Sequence, residues 1–218
     1  MNQWINKDTE IYCSFAETAG NTGCQMMNTA FYYYGLNKIY KSFSVDSIED
    51  AVHSVKTLGI KGFAITMPYK IDVLYYVDKL DISASEIGAA NTVIVEDDSM
   101  CAYNTDYYAA RTLLSEINFL NDYPKLYILG NGGYSQAVQY SAKTLSINYN
   151  VITRDNWEEI SKIEHSVIYN CTPVSMTDKI HKSNRYINSN TNSQTGKRLA
   201  TLQASKQFEL YTNLTFPF

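Results

Sequence analysis

The chain has 218 residues, of which 45% are hydrophobic and 18% are charged, and its formal net charge is -4 at pH 7. This length is enough for one large domain or two small ones. The mild acidity argues against a nucleic-acid-binding surface, which normally shows clustered Lys and Arg. No apolar run approaches the ~18 residues of a membrane span, and the polar opening does not resemble a signal peptide. We therefore expect a soluble cytoplasmic protein that binds neither nucleic acid nor membrane.

The four cysteines are Cys13, Cys24, Cys101 and Cys171. No two of them have C-x-x-C spacing, so the sequence indicates neither a zinc site nor a redox motif. The three histidines show no ligand spacing either. We expect reduced thiols, as is usual in the cytoplasm, and no bound metal.

The first half of the chain alternates strand-like and helix-like segments. Runs typical of strands occur at residues 11–15 and 38–43, and residues 25–34 between them are predicted to form a helix. Gly35 is expected to end this helix as a C-terminal cap.

A second helix is predicted before residue 59. Its apolar face consists of residues at helical spacing, namely Ile48, Val52, Val55 and Leu58. Ser44 or Asp46 is expected to cap its start, and Gly59 to end it. The run "GFAIT" that follows is the next predicted strand, and Pro68 suits the first turn of a helix after it.

Two more strand-like runs, "NTVIVE" at residues 91–96 and "MCAYN" at residues 100–104, flank the residues "DDS". This pattern indicates a β-hairpin. Strands that alternate with helices predict an α/β domain with a mainly parallel sheet.

A second unit is predicted to begin near Pro124. Its segments follow in the order strand, helix, strand, strand, at residues 125–130, 136–145, 149–154 and 166–173. We interpret these segments as a β-α-β-α-β half of a nucleotide-binding fold. Residues 187–194 are predicted to be a loop or mobile linker, and residues 196–212 a last helix. We expect four apolar residues of that helix to contact the first domain: Leu199, Leu202, Phe208 and Tyr211.

Gly130, Gly132 and Gly133 directly follow a predicted strand and precede a predicted helix. Glycines there allow the backbone to approach a pyrophosphate, and the helix N-terminus offers N–H groups and a partial positive charge. Tight packing between strand and helix is the alternative explanation. At the end of the next strand, Arg154 suits the 2′-phosphate of NADP, whereas Asp155 suits the ribose hydroxyls of NAD. We favour NADP.

Three polar side chains of the first domain come just after predicted strand ends, where α/β sheets bind ligands: Lys70, Asn91 and Asp106. Each has a purely structural alternative. Lys70 is then a solvated helix residue, and Asn91 a turn former. Asp106 is then the N-cap of a helix at residues 107–117.

Six blocks of sequence occur in a fixed order: "GFAITMPYK", "GAANTV", "YNTD", "ILGNGG", "NCTPVSM" and "LQASKQFEL". Together they resemble shikimate dehydrogenases, and in particular the divergent shikimate-dehydrogenase-like subgroup. The resemblance covers most of the chain. It implies an NADP-dependent enzyme of the shikimate pathway, in aromatic amino acid biosynthesis, that reduces 3-dehydroshikimate to shikimate. It is also consistent with a monomer or homodimer that takes a small-molecule substrate.

The fold implied by the resemblance has an N-terminal α/β substrate domain with a mainly parallel sheet and a Rossmann-like NADP-binding domain. We place the substrate domain at residues 1–106, completed by the C-terminal helix at residues 196–218. The cofactor domain then spans residues 107–195. It is shortened, because residues 177–195 stand where the family has a longer stretch with an Asp-x-x-Tyr-x-Pro segment.

The resemblance assigns Lys70 and Asp106 as the catalytic pair. Lys70 stabilises and protonates the alkoxide that hydride transfer leaves, while Asp106 orients Lys70 and binds a substrate hydroxyl. The matching substrate-binding positions are Thr66, Asn91 and Gln203. The matching positions of a cofactor-side loop are Asn170, Thr172 and Pro173.

The chain departs from the family pattern where the substrate is held. The family usually carries a Ser-x-Ser pair that grips the substrate carboxylate, and here Asn21 and Gly23 stand at those places. Asn21 keeps an amide for substrate binding, but two hydroxyl donors are lost. This leaves a second hypothesis, a catalytically impaired protein of the same ancestry that binds a metabolite or nucleotide.

Overall fold

The computed structural model describes residues 5–119 and 122–218. The chain divides into two compact units. Unit 1 consists of Met1–Thr105 and Ala204–Phe218, and unit 2 of Asp106–Gln203. Both are mixed α/β structures with mainly parallel strand pairing, which confirms the predicted fold class.

The described part of unit 1 is built on one sheet. Its strands are β1 (Glu10–Ala16), β2 (Lys38–Ser44), β3 (Ile60–Ile65), β4 (Lys79–Leu80), β5 (Thr92–Glu96) and β6 (Ser99–Tyr103). Its first three helices are α1 (Thr22–Tyr33), α2 (Ile48–Thr57) and α3 (Ile82–Ile87). The strand order is β2-β1-β3-β5-β6-β4. β1 runs parallel to β2 and β3, whereas β5 runs antiparallel to β3 and β6.

The predicted hairpin and two predicted helix ends are confirmed. Asp97 and Asp98 connect β5 to β6, with φ angles of 47° and 60°. Gly35 and Gly59 follow α1 and α2 with φ angles of 65° and 66°. Glycine adopts this left-handed conformation at little cost, so it ends a helix readily.

The ends of α2 differ from the prediction. Ser47 caps the helix, because its hydroxyl accepts a hydrogen bond from Asp50 N at 3.2 Å. The predicted caps Ser44 and Asp46 are therefore wrong. Leu58, at helical spacing with the apolar face, is 59% exposed, since the helix ends one residue before it.

The segment after β3 is a turn rather than the start of a helix. Pro68 follows a cis peptide bond from Met67, and Tyr69 N donates to Thr66 O at 3.0 Å. A short 3₁₀ helix follows only at Asp72–Tyr75. The predicted helix beginning at Pro68 is therefore wrong.

The C-terminal helix completes the core of unit 1. Its Phe208 and Tyr211 are buried together with Tyr12 of β1 and Phe31 of α1. Gly62 of β3 makes room for this packing, because a Cβ there would lie 2.9 Å from the Tyr211 ring. The expectation that Phe208 and Tyr211 contact the first domain is confirmed.

Unit 2 is built on a parallel sheet. Its described strands are β7 (Leu126–Leu129), β8 (Tyr149–Ile152), β9 (Val167–Asn170) and β10 (Arg185–Asn188). Its helices are α4 (Thr105–Ser115), α5 (Gly133–Thr144) and α6 (Gln194–Thr212), the first and last of which extend into unit 1. The strand order is β10-β9-β7-β8, with every pair parallel. After β7 the next strand, β8, is added at one edge of the sheet. After β8 the chain crosses over β7, and β9 and then β10 are added on its other side.

β10 is a strand that the sequence analysis did not predict. It pairs in parallel with β9, with Asn188 beside Asn170. Ile187 is buried, whereas the other β10 residues are partly or fully exposed, so the segment carries little apolar signal. The predicted loop at residues 187–194 is wrong at its start, and the described sheet has four strands rather than three.

The last helix contributes to both units. Leu199 is buried in the core of unit 2, and Leu202 packs against the same core. The expectation that these two residues belong to the core of the first domain is therefore wrong. The boundary between the units falls between Gln203 and Ala204, inside α6.

Residues 5–119 and 122–218 contain no helix with the length and apolar character that a membrane crossing needs. Within the same residues, no His, Cys, Asp and Glu side chains are grouped in threes or more so as to hold a metal ion. The four cysteines are free thiols.

Candidate active site

The carboxyl ends of β1, β2 and β3 lie at one edge of the unit 1 sheet, and the turn after β3 carries Thr66 and Lys70. Thr66 N donates to Phe15 O at 3.1 Å, and Lys70 O accepts from Ala90 N at 2.7 Å. Thr66 is exposed and Lys70 is half-buried. These main-chain bonds hold both residues at the edge where α/β sheets bind ligands.

Asn91 reaches the same edge because β5 runs antiparallel to β3. Ile65 N donates to Asn91 O at 2.9 Å, which puts Asn91 beside the last residue of β3. Asn91 is 3% exposed, and its Oδ1 accepts a hydrogen bond from Thr105 N at 2.8 Å. The structure thus brings Thr66, Lys70 and Asn91 together in unit 1.

Asp106 lies in the first turn of α4, which begins at Thr105. The alternative that Asp106 is the N-cap is therefore wrong. Asp106 is 1% exposed, and the partial positive charge of the helix N-terminus favours a carboxylate there. Burial raises the pKa values of Tyr134, Tyr169 and Cys171 well above their usual range, and the nearby Asp106 carboxylate raises these pKa values further.

Asn21 is the exposed N-cap residue of α1, and its side chain makes no capping hydrogen bond. Gly23, in the first turn of the same helix, lies against Tyr40. A Cβ at Gly23 would be 3.2 Å from the Tyr40 ring, so the tyrosine limits the space for a side chain there. A substrate contact by Asn21 stays a prediction.

Gln203 lies on α6 at the last position of unit 2 and is half-buried. Its contact with substrate stays a prediction. One helical turn later, Gln207 belongs to unit 1 and donates from Nε2 to Thr92 Oγ1 at 3.0 Å. No sequence pattern marks this second glutamine as a site residue.

The glycine turn of unit 2 leads from β7 into α5. Gly130 has a φ of +98°, and a Cβ there would lie 2.9 Å from Thr172 Cγ2, so this position requires glycine. Gly132 is the N-cap of α5, and Gly133 is its first residue. The first turn carries no acidic side chain, so the helix end suits an anion.

The ends of β8 and β9 lie at the same edge of the sheet as this glycine turn. Arg154 follows β8 and is exposed at the start of a 3₁₀ helix. Asn170 is the last residue of β9, and Thr172 and Pro173 follow it. The structure therefore brings all seven predicted cofactor residues to one edge of unit 2, at the switch point between β7 and β9.

Asn170 holds the loop after β9. It is fully buried, its Nδ2 donates to Val174 O at 2.8 Å, and its Oδ1 accepts from Thr172 N at 3.0 Å. Tyr186 of β10 also accepts a hydrogen bond from Asn170 Nδ2, at 3.1 Å. Both ends of the amide are engaged within the protein, so Asn170 fixes the shape of the loop. A contribution of Asn170 to cofactor binding stays a prediction.

Two polar pairs in the structure escaped the sequence analysis. The hydroxyls of Tyr134 and Tyr169 lie 2.9 Å apart in the core of unit 2. The only sequence signal for this pair is the position of Tyr134, which directly follows the glycine cluster. Thr92 and Gln207 form the second pair, and they stand 115 residues apart, so no local pattern indicates their contact.

A groove of 640 Å³ lies at the amino edge of the unit 2 sheet. Its lining mixes Lys125 and Lys162 with Glu159 and Glu164. The predicted cofactor residues lie at the opposite, carboxyl edge, so the groove is separate from them.

Comparison with known proteins finds shikimate dehydrogenases and proteins similar to them. Residues 22–93 match the family model of the shikimate dehydrogenase substrate binding domain. A shikimate dehydrogenase-like protein of Haemophilus influenzae is 37% identical over 134 residues, which cover 62% of this chain and 49% of that protein. A shikimate dehydrogenase (NADP(+)) of Clostridium beijerinckii is 34% identical over 171 residues, which cover 70% of this chain and 63% of that protein. The chain thus spans between 49% and 63% of the length of these two relatives.

The solved structure of a shikimate 5-dehydrogenase-like protein has the same fold. It matches with a TM-score of 0.81 at 26% identity, covering 97% of this chain and 94% of that chain. The family-model match lies within unit 1, which holds Thr66, Lys70 and Asn91. On the sequence and the fold together, the chain belongs to the shikimate dehydrogenase family.

Proposed function

We propose that the protein is an NADP-dependent oxidoreductase of the shikimate dehydrogenase type. It reversibly reduces 3-dehydroshikimate, or a related cyclic polyhydroxy acid, to the alcohol. The observation that carries this proposal is the carboxyl edge of unit 2, where a glycine turn, a helix N-terminus without acidic residues and Arg154 come together. A dinucleotide with a 2′-phosphate needs these groups.

Lys70 and Asp106 are the proposed catalytic pair. NADPH supplies a hydride to the carbonyl carbon of the substrate. The carbonyl oxygen becomes negative, and the Lys70 ammonium stabilises this charge and donates a proton to it. Asp106 orients the ammonium and accepts a hydrogen bond from a substrate hydroxyl.

Thr66, Asn91 and Gln203 are proposed to bind the substrate hydroxyls. Asn21 offers an amide where family members usually have a serine, and Gly23 offers no side chain. We therefore expect weaker binding of shikimate itself than a Ser-x-Ser pair gives.

A direct assay tests the proposed function. The protein is mixed with shikimate and either NADP or NAD, and the absorbance of the reduced nicotinamide is followed. We expect turnover that is faster with NADP. If neither cofactor gives turnover and titration detects binding of neither, the proposal is wrong.

The alternative is a non-catalytic protein of the same ancestry that binds a metabolite or nucleotide. The changed positions Asn21 and Gly23 favour it, as does the short connection from β10 to α6. Cofactor binding without turnover of shikimate or related cyclic acids would select this alternative.

Replacing Arg154 by alanine is expected to weaken NADP binding roughly 10- to 100-fold, because a charge-assisted contact to the 2′-phosphate is lost. NAD binding should stay unchanged, since NAD lacks that phosphate. Titration of both cofactors measures the difference. Arg185→Ala is the matched control, because Arg185 is an exposed arginine at the amino edge of the same sheet. Equal losses of NADP and NAD affinity in Arg154→Ala would contradict the assignment.

A further inference from the structure

A chain of hydrogen bonds, largely buried, ends on the side chain of Asn91, and all of its members belong to unit 1. Its members are Gln207, Thr92, Asn91 and Thr105. We propose that Thr92 and Gln207 are positioning residues that fix the Asn91 amide with its NH₂ group toward the substrate. The effect on catalysis rests on the proposed function, whereas the effect on the amide does not.

The oxygen of the Asn91 side chain is fully used within the protein. Asn91 Oδ1 accepts from Thr105 N at 2.8 Å, from Thr105 Oγ1 at 3.1 Å and from Thr92 Oγ1 at 3.1 Å. An amide oxygen has two lone pairs, so three donors saturate it. A ligand that binds this side chain must therefore accept a hydrogen bond from Nδ2.

Gln207 fixes the direction of the Thr92 hydroxyl. Gln207 Nε2 donates to Thr92 Oγ1 at 3.0 Å and also contacts Asn91 O at 3.4 Å. A hydroxyl carries one proton and rotates to suit its partners. Because the glutamine amide group is a donor, the Thr92 proton turns away from it. Of the two acceptors on the other side, Asn91 Oδ1 at 3.1 Å is nearer than Thr105 Oγ1 at 3.4 Å.

Burial makes this orientation stable. Asn91 is 3% exposed, and Thr92 and Thr105 are fully buried. Rotating the Asn91 amide by half a turn would set its NH₂ group against the Thr105 N–H donor. An unpaired buried donor is costly, so the network selects one orientation.

The chemistry of the ligand follows from this orientation. Asn91 presents a hydrogen-bond donor, so the atom that it meets is an acceptor such as a hydroxyl or carbonyl oxygen. A substrate amine or other obligate donor at this place is rejected, because it would face an N–H group.

A pair of substitutions at Thr92 separates positioning from packing. Thr92→Val keeps the volume and removes the hydroxyl, whereas Thr92→Ser keeps the hydroxyl and removes a methyl group. We expect Thr92→Val to raise KM for the substrate about tenfold with little change in kcat, as the loss of one oriented hydrogen bond implies. Thr92→Ser should stay near wild type. If packing alone matters, the order is reversed and the serine variant is the worse enzyme, which would overturn the proposal.

A second measurement does not require activity. The side-chain NH₂ signals of Asn91 are recorded by NMR in the protein without substrate and are assigned through their loss in Asn91→Asp. We expect Thr92→Val and Gln207→Met to shift these signals and to speed their exchange with solvent, while Thr92→Ser leaves them in place. Unchanged signals in both Thr92→Val and Gln207→Met would overturn the positioning role. Shifted signals in a protein without turnover would uphold it while the proposed function fails.

Discussion

Lys70→Ala is expected to lower the rate of hydride transfer between shikimate and NADP roughly 100- to 10,000-fold, the range for loss of a positioned acid that also stabilises charge. Alanine has no proton to give to the developing alkoxide. The dissociation constant of NADP should be unchanged, because the residues proposed to bind the cofactor lie in unit 2. Initial rates at saturating cofactor, together with a cofactor titration, measure both quantities.

Lys79→Ala is the matched control for this experiment. Lys79 is an exposed lysine of β4 in the same unit, so its loss changes the net charge equally without touching the candidate site. We expect it to keep the wild-type rate. A Lys70→Ala protein that turns over as fast as Lys79→Ala would remove Lys70 from the catalytic pair.

Gly196→Ala is expected to destabilise the protein, although alanine normally stabilises a helix relative to glycine. A Cβ at Gly196 would lie 1.9 Å from Asn190 O and 3.0 Å from Ser189 O, which are both backbone atoms. The loop at residues 188–193 must therefore move. Ser193 holds that loop, because its Oγ donates to Asn188 O at 2.8 Å and accepts from Gly196 N at 2.9 Å.

The expected cost of this overpacking is about 1–3 kcal/mol of unfolding free energy. For a chain of this size it corresponds to a fall in Tm of roughly 2–12 °C. Thermal unfolding followed by circular dichroism measures it. Gly20→Ala serves as the control, because a Cβ at Gly20 meets nothing within 4 Å. A Tm of Gly196→Ala at or above that of wild type would show that the loop adapts freely.

Much of the fold is predictable from local sequence, because its signals act over a few residues. Gly35 and Gly59 end their helices through their own backbone conformation, and Asp97 and Asp98 form the predicted hairpin turn. The glycine turn at residues 130–133 is likewise a local pattern between a strand and a helix. These features need no knowledge of distant contacts.

β10 escapes the same reasoning because its stability comes from its neighbour. Of its residues only Ile187 is buried, and the strand exists because its backbone pairs with β9. The polar segment carries no strong signal of its own, so a loop was the natural prediction. The cap of α2 differs from the prediction for another reason. Ser44, Asp46 and Ser47 are all good capping residues, and only the backbone geometry of the fold determines which of them caps the helix.

The candidate site also combines features that local sequence predicts with features that depend on distant contacts. Lys70, Asn91 and Asp106 are polar residues next to strand ends, so sequence alone selects them as candidates. The amide orientation that we propose for Asn91 depends on Gln207, which lies 116 residues away and contacts the Asn91 carbonyl oxygen. The orientation of an amide is set by such partners, so no local pattern carries it.

Because α6 supplies Phe208 and Tyr211 to unit 1, that unit is not continuous in sequence. During synthesis the N-terminal strands leave the ribosome long before Phe208 and Tyr211 do. Domains generally fold as units while the chain is being synthesised. Until residue 211 leaves the exit tunnel, the surface around Gly62 lacks its covering helix, and the nascent sheet carries an uncovered apolar face. We therefore expect the first unit to mature after the second one has been synthesised, in the reverse of the usual N-to-C order.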